Sequence, residues 1–154
     1  MAPTRELAQQ IAEELTALTY FMPEVEVACV YGGANMEKQA KRLAEGCQIV
    51  VATPGRLMDH YKHHNIDLSH VTQIVLDEAD EMLNMGFYKD VRHIIEMMKN
   101  RKSLSMFSAT ISREVMDIGW LYQRDAEEIT VQPVEDSAPR IDCLLYTSDA
   151  ADEA

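Results

Sequence analysis

Val71-Thr72-Gln73-Ile74-Val75-Leu76-Asp77-Glu78-Ala79-Asp80 is an apolar run that stops at a cluster of acids. Val71, Ile74, Val75 and Leu76 are β-branched or apolar, and helix-like sequence from Glu81 to Gly86 follows at once, so the stretch reads as a buried strand of an α/β sheet. Ligands of such sheets bind beyond the carboxyl ends of the strands. Asp77, Glu78 and Asp80 stand at such an end, where burial is costly unless a cation, a donor or a substrate compensates them. A phosphate-bound Mg2+ is one natural partner, because it takes carboxylate oxygens directly or through retained waters. The plainer reading is that these acids start a helix, whose N-terminus favours negative charge.

The neighbouring segments repeat the alternation. Upstream, Pro3 to Leu18 carries a helical stripe of Leu7, Ile11, Leu15 and Leu18, with Pro3 suited to the opening turn. Val25 to Tyr31 reads as a strand that ends at Gly32-Gly33, a turn allowing close approach of another backbone. Asn35 is placed to cap a helix over Met36 to Glu45. Gln48 to Ala52 reads as a second buried strand, followed by Thr53 as N-cap, Pro54 at the first helical position, and a helix through His63. Downstream, Met82, Leu83, Met85 and Phe87 are expected in the core, and Asp90 to Lys99 forms a helix with Val91, Ile94, Ile95 and Met98 inward. Ser103 to Phe107 is a further strand ending at Ser108-Ala109-Thr110, Ser112 caps a helix to about Tyr122, and Glu128 to Val131 reads as a last short strand.

Helices and strands thus alternate over a chain of 154 residues, which is room for one α/β domain and not for two. Lysine and arginine total 14 against 26 acids, a net charge of −12, so nucleic-acid contact must be local rather than spread over the surface. Cys29, Cys47 and Cys143 show no CxxC spacing, which argues for a reducing, cytoplasmic setting and against a structural zinc site. No apolar stretch is long enough to span a membrane. His60, His63 and His64 have a spacing that mimics a metal site, but Asp59, Lys62 and Asn65 around them point to a solvated face.

Pro3-Thr4-Arg5-Glu6-Leu7-Ala8, Gly32-Gly33, Thr53-Pro54-Gly55-Arg56, Asp77-Glu78-Ala79-Asp80 and Ser108-Ala109-Thr110 all fall at strand-to-helix junctions or turns. In this order they resemble the first RecA-like domain of DEAD-box ATP-dependent RNA helicases, and Leu76 to Phe87 is similar to bacterial members. The resemblance covers residues 1 to 142. It implies an incomplete RecA-like parallel sheet flanked by helices, with ATP and Mg2+ as cofactors and RNA as partner. Asp77 would hold Mg2+ through waters, and Glu78 would position or deprotonate the water attacking the γ-phosphate. Asp80 would pair with Ser108 and Thr110, linking nucleotide state to RNA grip, a role compatible with those hydroxyls also capping the next helix. Pro3, Thr4, Arg5, Glu6, Gly32, Gly33, Thr53, Pro54, Gly55 and Arg56 would meet the RNA backbone, where helix N-termini and a glycine turn offer N–H groups and the two arginines offer charge. Contacts of this kind read backbone and sugar, with 2′-hydroxyls marking RNA.

No GxxxxGK[ST] phosphate loop occurs in the sequence. The family's loop is expected upstream of Pro3, and its second RecA-like domain downstream. The chain therefore divides into a partial helicase domain over 1–133, a linker over 134–142, and a tail over 143–154. In that tail Cys143 to Glu153 (CLLYTSDAADE) resembles a translated sequencing adapter and reads as non-biological. Strands missing from the sheet would leave unpaired edges. The expected function is RNA-stimulated ATP hydrolysis coupled to local duplex unwinding, with this chain inactive by itself. Two other classes stay open: an acidic RecA-like scaffold that never hydrolyses ATP, and a related DNA helicase core. Asp80 in place of histidine, with the Ser-Ala-Thr stretch, favours RNA.

Overall fold

Four parallel strands carry the fold, but they pair two by two. The computed structural model describes residues 1–131. Helix α1 spans Arg5–Leu18, β1 Val27–Val30, α2 Met36–Ala44, β2 Ile49–Ala52 and α3 Pro54–Lys62. Strand β3 spans Gln73–Leu76, followed by α4 over Ala79–Met82, a turn over Leu83–Phe87 kinked at Gly86, and α5 over Tyr88–Met97. The chain then forms β4 over Ser103–Met106 and α6 over Arg113–Tyr122. Strand β1 lies parallel to β2 with Val27 opposite Ile49, and β3 parallel to β4 with Gln73 opposite Ser103.

Capping chemistry sets several boundaries. Thr4 accepts from the Leu7 N–H, so α1 starts one residue beyond Thr4 and Pro3 precedes the helix instead of opening it. Asn35 accepts from the Lys38 N–H and Ser112 from the Val115 N–H, both as expected. Thr53 occupies the cap position of α3 without a side-chain bond, its backbone N–H instead reaching the Val30 carbonyl.

The main core lies on one face of the strands, where Leu76, Met82, Ile94, Ile95 and Ile118 are fully enclosed. A smaller cluster of Ala2, Ala8, Ala12 and Val51 lies on the other face, under α1. The key strand β3 departs from its expected burial on both sides: Ile74 and Leu76 are buried, but Gln73 and Val75 are exposed. No helix among the described residues covers their face, because α1 packs chiefly on β1 and β2. Met85 is likewise exposed, whereas Met82 and Leu83 are buried. Glu128 to Val131 forms no strand; Ile129 and Val131 are exposed, and none of the strands among the described residues pairs with them. The expected linker over 134–142 and tail over 143–154 lie outside the described residues. No described helix is long and apolar enough to cross a membrane.

Candidate functional site

The carboxyl ends of β3 and β4 bring the acidic cluster and the Ser-Ala-Thr stretch together. The junction is sharp: the Asp77 N–H is held by the Met1 carbonyl and the Ala79 N–H by the Phe107 carbonyl, each at 2.9 Å. Between them Glu78 is left-handed, φ 47° and ψ 52°, a conformation sparsely populated by residues with a side chain and one that persists only where neighbours impose it. Its N–H donates to the Asp77 carboxylate at 3.0 Å. Asp77 is half-buried and Glu78 exposed, so one acid is anchored at the strand end and the next projects into solvent.

Asp80 is the organised member of the cluster. It is 9 % exposed, and its Oδ2 accepts the Thr110 N–H at 2.9 Å and the Thr110 hydroxyl at 2.6 Å. Ser108 Oγ accepts the Asp80 N–H at 3.2 Å and donates to the Thr110 carbonyl at 2.7 Å. The hydrogen bond from the Thr110 hydroxyl, with Ser108 close by and the Thr110 N–H, holds the Asp80 carboxyl below the usual carboxylate range against the opposing effect of burial. The charge-assisted bond to Thr110 is of the short, strong kind. The structure thus assembles the expected grouping of Asp80, Ser108 and Thr110, and the hydroxyl of Thr110 serves Asp80, not a cap of α6.

A second set of predicted residues gathers around the glycine turn. Arg5 is exposed and paired to Glu6 at 2.8 Å, with its guanidinium beside Gly33, whose φ of 84° suits glycine. Thr4 and Gly55 are half-buried, and Thr53 and Pro54 are buried. Arg56 differs from the expected solvent-facing cation. Its side chain is only 13 % exposed, and its guanidinium donates to the Ala34 carbonyl at 2.9 Å and to Gln39 Oε1 at 3.1 Å. Asp59 stands 3.9 Å from its Nε.

Sequence reading missed the network that holds Arg56. Gln39 is buried in α2, donates to the Tyr31 carbonyl at 3.1 Å, and shares its Oε1 between Arg56 and His60 Nε2, the latter at 3.0 Å. Asn65 Nδ2 lies 3.2 Å from His60 Nδ1. One neutral tautomer satisfies both sides, with Nε2–H donating to Gln39 and Nδ1 accepting from Asn65. His60 is therefore fully buried, not part of a solvated face, and burial first and Arg56 second push its pKa down. The available signal was Gln39 itself, which stands four residues before buried Leu43 on the inner face of α2. No group of three or more potential metal ligands occurs among the described residues.

Residues 1–118 match the DEAD/DEAH box helicase family model. The chain is 40 % identical over 148 residues to ATP-dependent RNA helicase DeaD of Klebsiella pneumoniae, covering 96 % of this chain and 23 % of that protein. It is 43 % identical over 142 residues to ATP-dependent RNA helicase CshA of Limosilactobacillus reuteri, covering 92 % of this chain and 28 % of that one. The chain thus spans about a quarter of the length of these relatives. Among solved structures, a hypothetical ATP-dependent RNA helicase from Sulfolobus tokodaii superposes with a TM-score of 0.77 at 40 % identity, over 81 % of this chain and 37 % of that one. A DEAD box protein from Methanococcus jannaschii gives 0.74 at 43 % identity, over 80 % and 33 %.

Proposed function

Because the chain belongs to the DEAD/DEAH box helicase family and its α/β fold is that of the RecA-like domains of DEAD-box proteins, we propose that it is the hydrolytic-carboxylate portion of an ATP-dependent RNA helicase. In this reading it works in the cytoplasm, with ATP hydrolysis driving local opening of RNA duplexes. The observation that carries the proposal is the bond between Asp80 and Thr110, which ties the acidic end of β3 to the loop after β4.

The donor set fits Mg2+ brought in with a phosphate. Asp77 offers hard carboxylate oxygen at a strand end, which suits an ion that keeps several waters and takes one or two carboxylates. Asp77 would hold Mg2+, which supplies charge neutralisation at the phosphates. Glu78 projects beyond it from a fixed left-handed backbone, so its carboxylate is set to orient a water or accept its proton. Asp80 keeps Thr110 and Ser108 in register with that junction, so a shift at one is felt at the other. Thr4, Arg5, Glu6, Gly32, Gly33 and Gly55 would meet the RNA backbone, with buried Pro3, Thr53 and Pro54 shaping the turns beneath them. Arg56, turned inward, would act there by fixing the Gly32-Gly33 turn through the Ala34 carbonyl.

Without a phosphate loop the chain has no anchor for a triphosphate and is expected to show no ATPase. The test is Glu78→Gln in a longer protein that joins this chain to a phosphate loop and a second RecA-like domain. Nucleotide and RNA binding should persist while turnover falls by about 10²–10⁴, the usual contribution of a general base. Near-normal turnover would remove the assignment.

A further inference from the structure

The Gly32-Gly33 turn has little packing to hold it. Beyond its chain neighbours, a Cβ built on Gly32 meets nothing within 4 Å, and one on Gly33 meets the Arg5 guanidinium at 3.7 Å. Glycine also loses more conformational freedom on being fixed than any other residue, and here two stand together. The turn therefore depends on polar contacts at its two ends. The carbonyl before it, of Tyr31, accepts from Gln39 Nε2 at 3.1 Å, and the carbonyl after it, of Ala34, accepts from Arg56 Nη1 at 2.9 Å.

Those two donors are bound to each other. Arg56 Nη1 also reaches Gln39 Oε1, and His60 Nε2 fills the other lone pair of that oxygen. Asp59 does not set the guanidinium, because its carboxylate lies 3.9 Å from Nε, beyond hydrogen-bond reach, and Nε is buried without a partner. Asn65, on the far side of the imidazole, keeps Nδ1 an acceptor and so places the ring proton on Nε2. Gln39 is 7 % exposed and His60 fully enclosed, so loss of any link leaves a buried polar atom unpaired.

The chain Asn65, His60, Gln39 and Arg56 thus ends on the two carbonyls that flank the glycines. We propose that Gln39 and His60 are positioning residues of the RNA site, stapling the Gly32-Gly33 turn in the shape that presents its N–H groups to the RNA backbone. Gln39 acts on the turn directly through Tyr31 and indirectly by steadying Arg56 on Ala34. His60 acts one step further back, by fixing the rotamer of Gln39 through Oε1. The inference rests on the assignment of RNA contact to this turn, and it adds two buried side chains that touch no RNA themselves.

Rescue separates positioning from bulk stability. Counted along the side chain, a glutamine amide nitrogen reaches as far as His60 Nε2, whereas an asparagine amide stops at the level of Nδ1. In the full chain, His60→Gln should therefore renew the bond to Gln39, and His60→Asn and Gln39→Met should lose it. NMR order parameters of the Gly32, Gly33 and Ala34 amides should stay near the rigid value of about 0.85 in the unchanged chain and in His60→Gln, and fall toward about 0.6 in the other two. Titration with a labelled single-stranded oligoribonucleotide should show affinity weakened about three- to tenfold in those two and kept in His60→Gln, the scale of one lost hydrogen bond. A core variant on another helix, Ile118→Val, serves as the control for stability and should change neither readout. Imidazole nitrogen shifts should show the proton on Nε2. The opposite tautomer, unchanged order parameters in Gln39→Met, or equal losses in His60→Gln and His60→Asn would overturn the proposal. It would also fall, with the RNA site intact, if the turn loosened and affinity held while Arg5→Gln weakened binding. If Arg5→Gln also left affinity unchanged, RNA would not meet this turn and the assignment of the site would fall as well.

Discussion

Asp80 and Thr110 couple two segments that are thirty residues apart, so their energies should not add. Thr110→Val removes a hydroxyl at constant shape, and Asp80→Asn removes the charge while keeping an acceptor; each should cost about 1 kcal/mol, a charged hydrogen bond discounted for partial solvation. The double variant should cost less than the two together, by about 0.5–1 kcal/mol, because both changes weaken the same bond. Urea unfolding of all four proteins measures this, and strict additivity would mean the bond contributes nothing. The same residue has a pH signature. Its folded pKa lies below the unfolded carboxylate value of about 3.9. Its contribution is therefore full above that value and is lost as the pH falls through the folded pKa. His60 has its folded pKa lowered too, so its contribution is full above the unfolded value of about 6.5 and is lost as pH falls. Between pH 7 and 5 the unfolding midpoint should drop, and the drop should shrink in His60→Gln. An equal drop in both would show that protonated His60 is tolerated beside Arg56.

At the level of elements, the backbone imposes its own requirements. Gly86 forms the kink between Leu83 and Phe87 with φ 88°, and a Cβ added there would meet nothing within 4 Å. The cost of Gly86→Ala is then left-handed strain alone, about 1–2 kcal/mol. Asparagine should cost less than alanine, and valine more, because they differ in tolerance of positive φ and not in packing. Thermal midpoints in the order glycine, asparagine, alanine, valine would bear this out; alanine matching glycine would not. The strands themselves were legible, since β-branched runs place β1 to β3, and the alternation of Ser103 to Phe107 places β4, each to within a residue or two. Depth was less so. Val75 reads as core by type, yet it lies bare because the helix that would cover its face is not among the described elements. Glu128 to Val131 has the alternation of a strand and lacks a neighbour to pair with, a condition no local pattern reports. Spacing grouped His60 with His63 and His64, but it could not tell that Gln39 draws the first of them inward. Arg56 was placed at the right turn, and its partners, distant in sequence, decided which way it points.

Taken whole, the molecule is acidic, and its charge layout constrains how it can hold RNA. The net charge is −12, so any attraction to phosphate must come from a few local positions, and the proposed ones lie at the carboxyl ends of the strands. Arg5 is exposed there, but it is already paired to Glu6, and Arg56 is turned inward on Ala34 and Gln39. The denser group of Lys99, Arg101, Lys102 and Arg124 lines a separate cavity of about 590 Å³ near Ser103, at the opposite, amino end of β4. Single-stranded RNA releases about 0.7 counterions per neutralised phosphate, so one or two cations predict a slope near −1 in log K against log salt. Binding of a short single-stranded RNA should therefore be weak, with a shallow salt dependence, and Arg5→Gln should flatten it further. The measurement is a fluorescence titration of a labelled oligoribonucleotide at a series of salt concentrations. A slope of −3 or steeper would require several cations acting together. If Lys99→Gln and Lys102→Gln then abolished that slope while Arg5→Gln left it intact, the RNA surface would lie at the amino ends of the strands and the assignment around Gly32-Gly33 would fall.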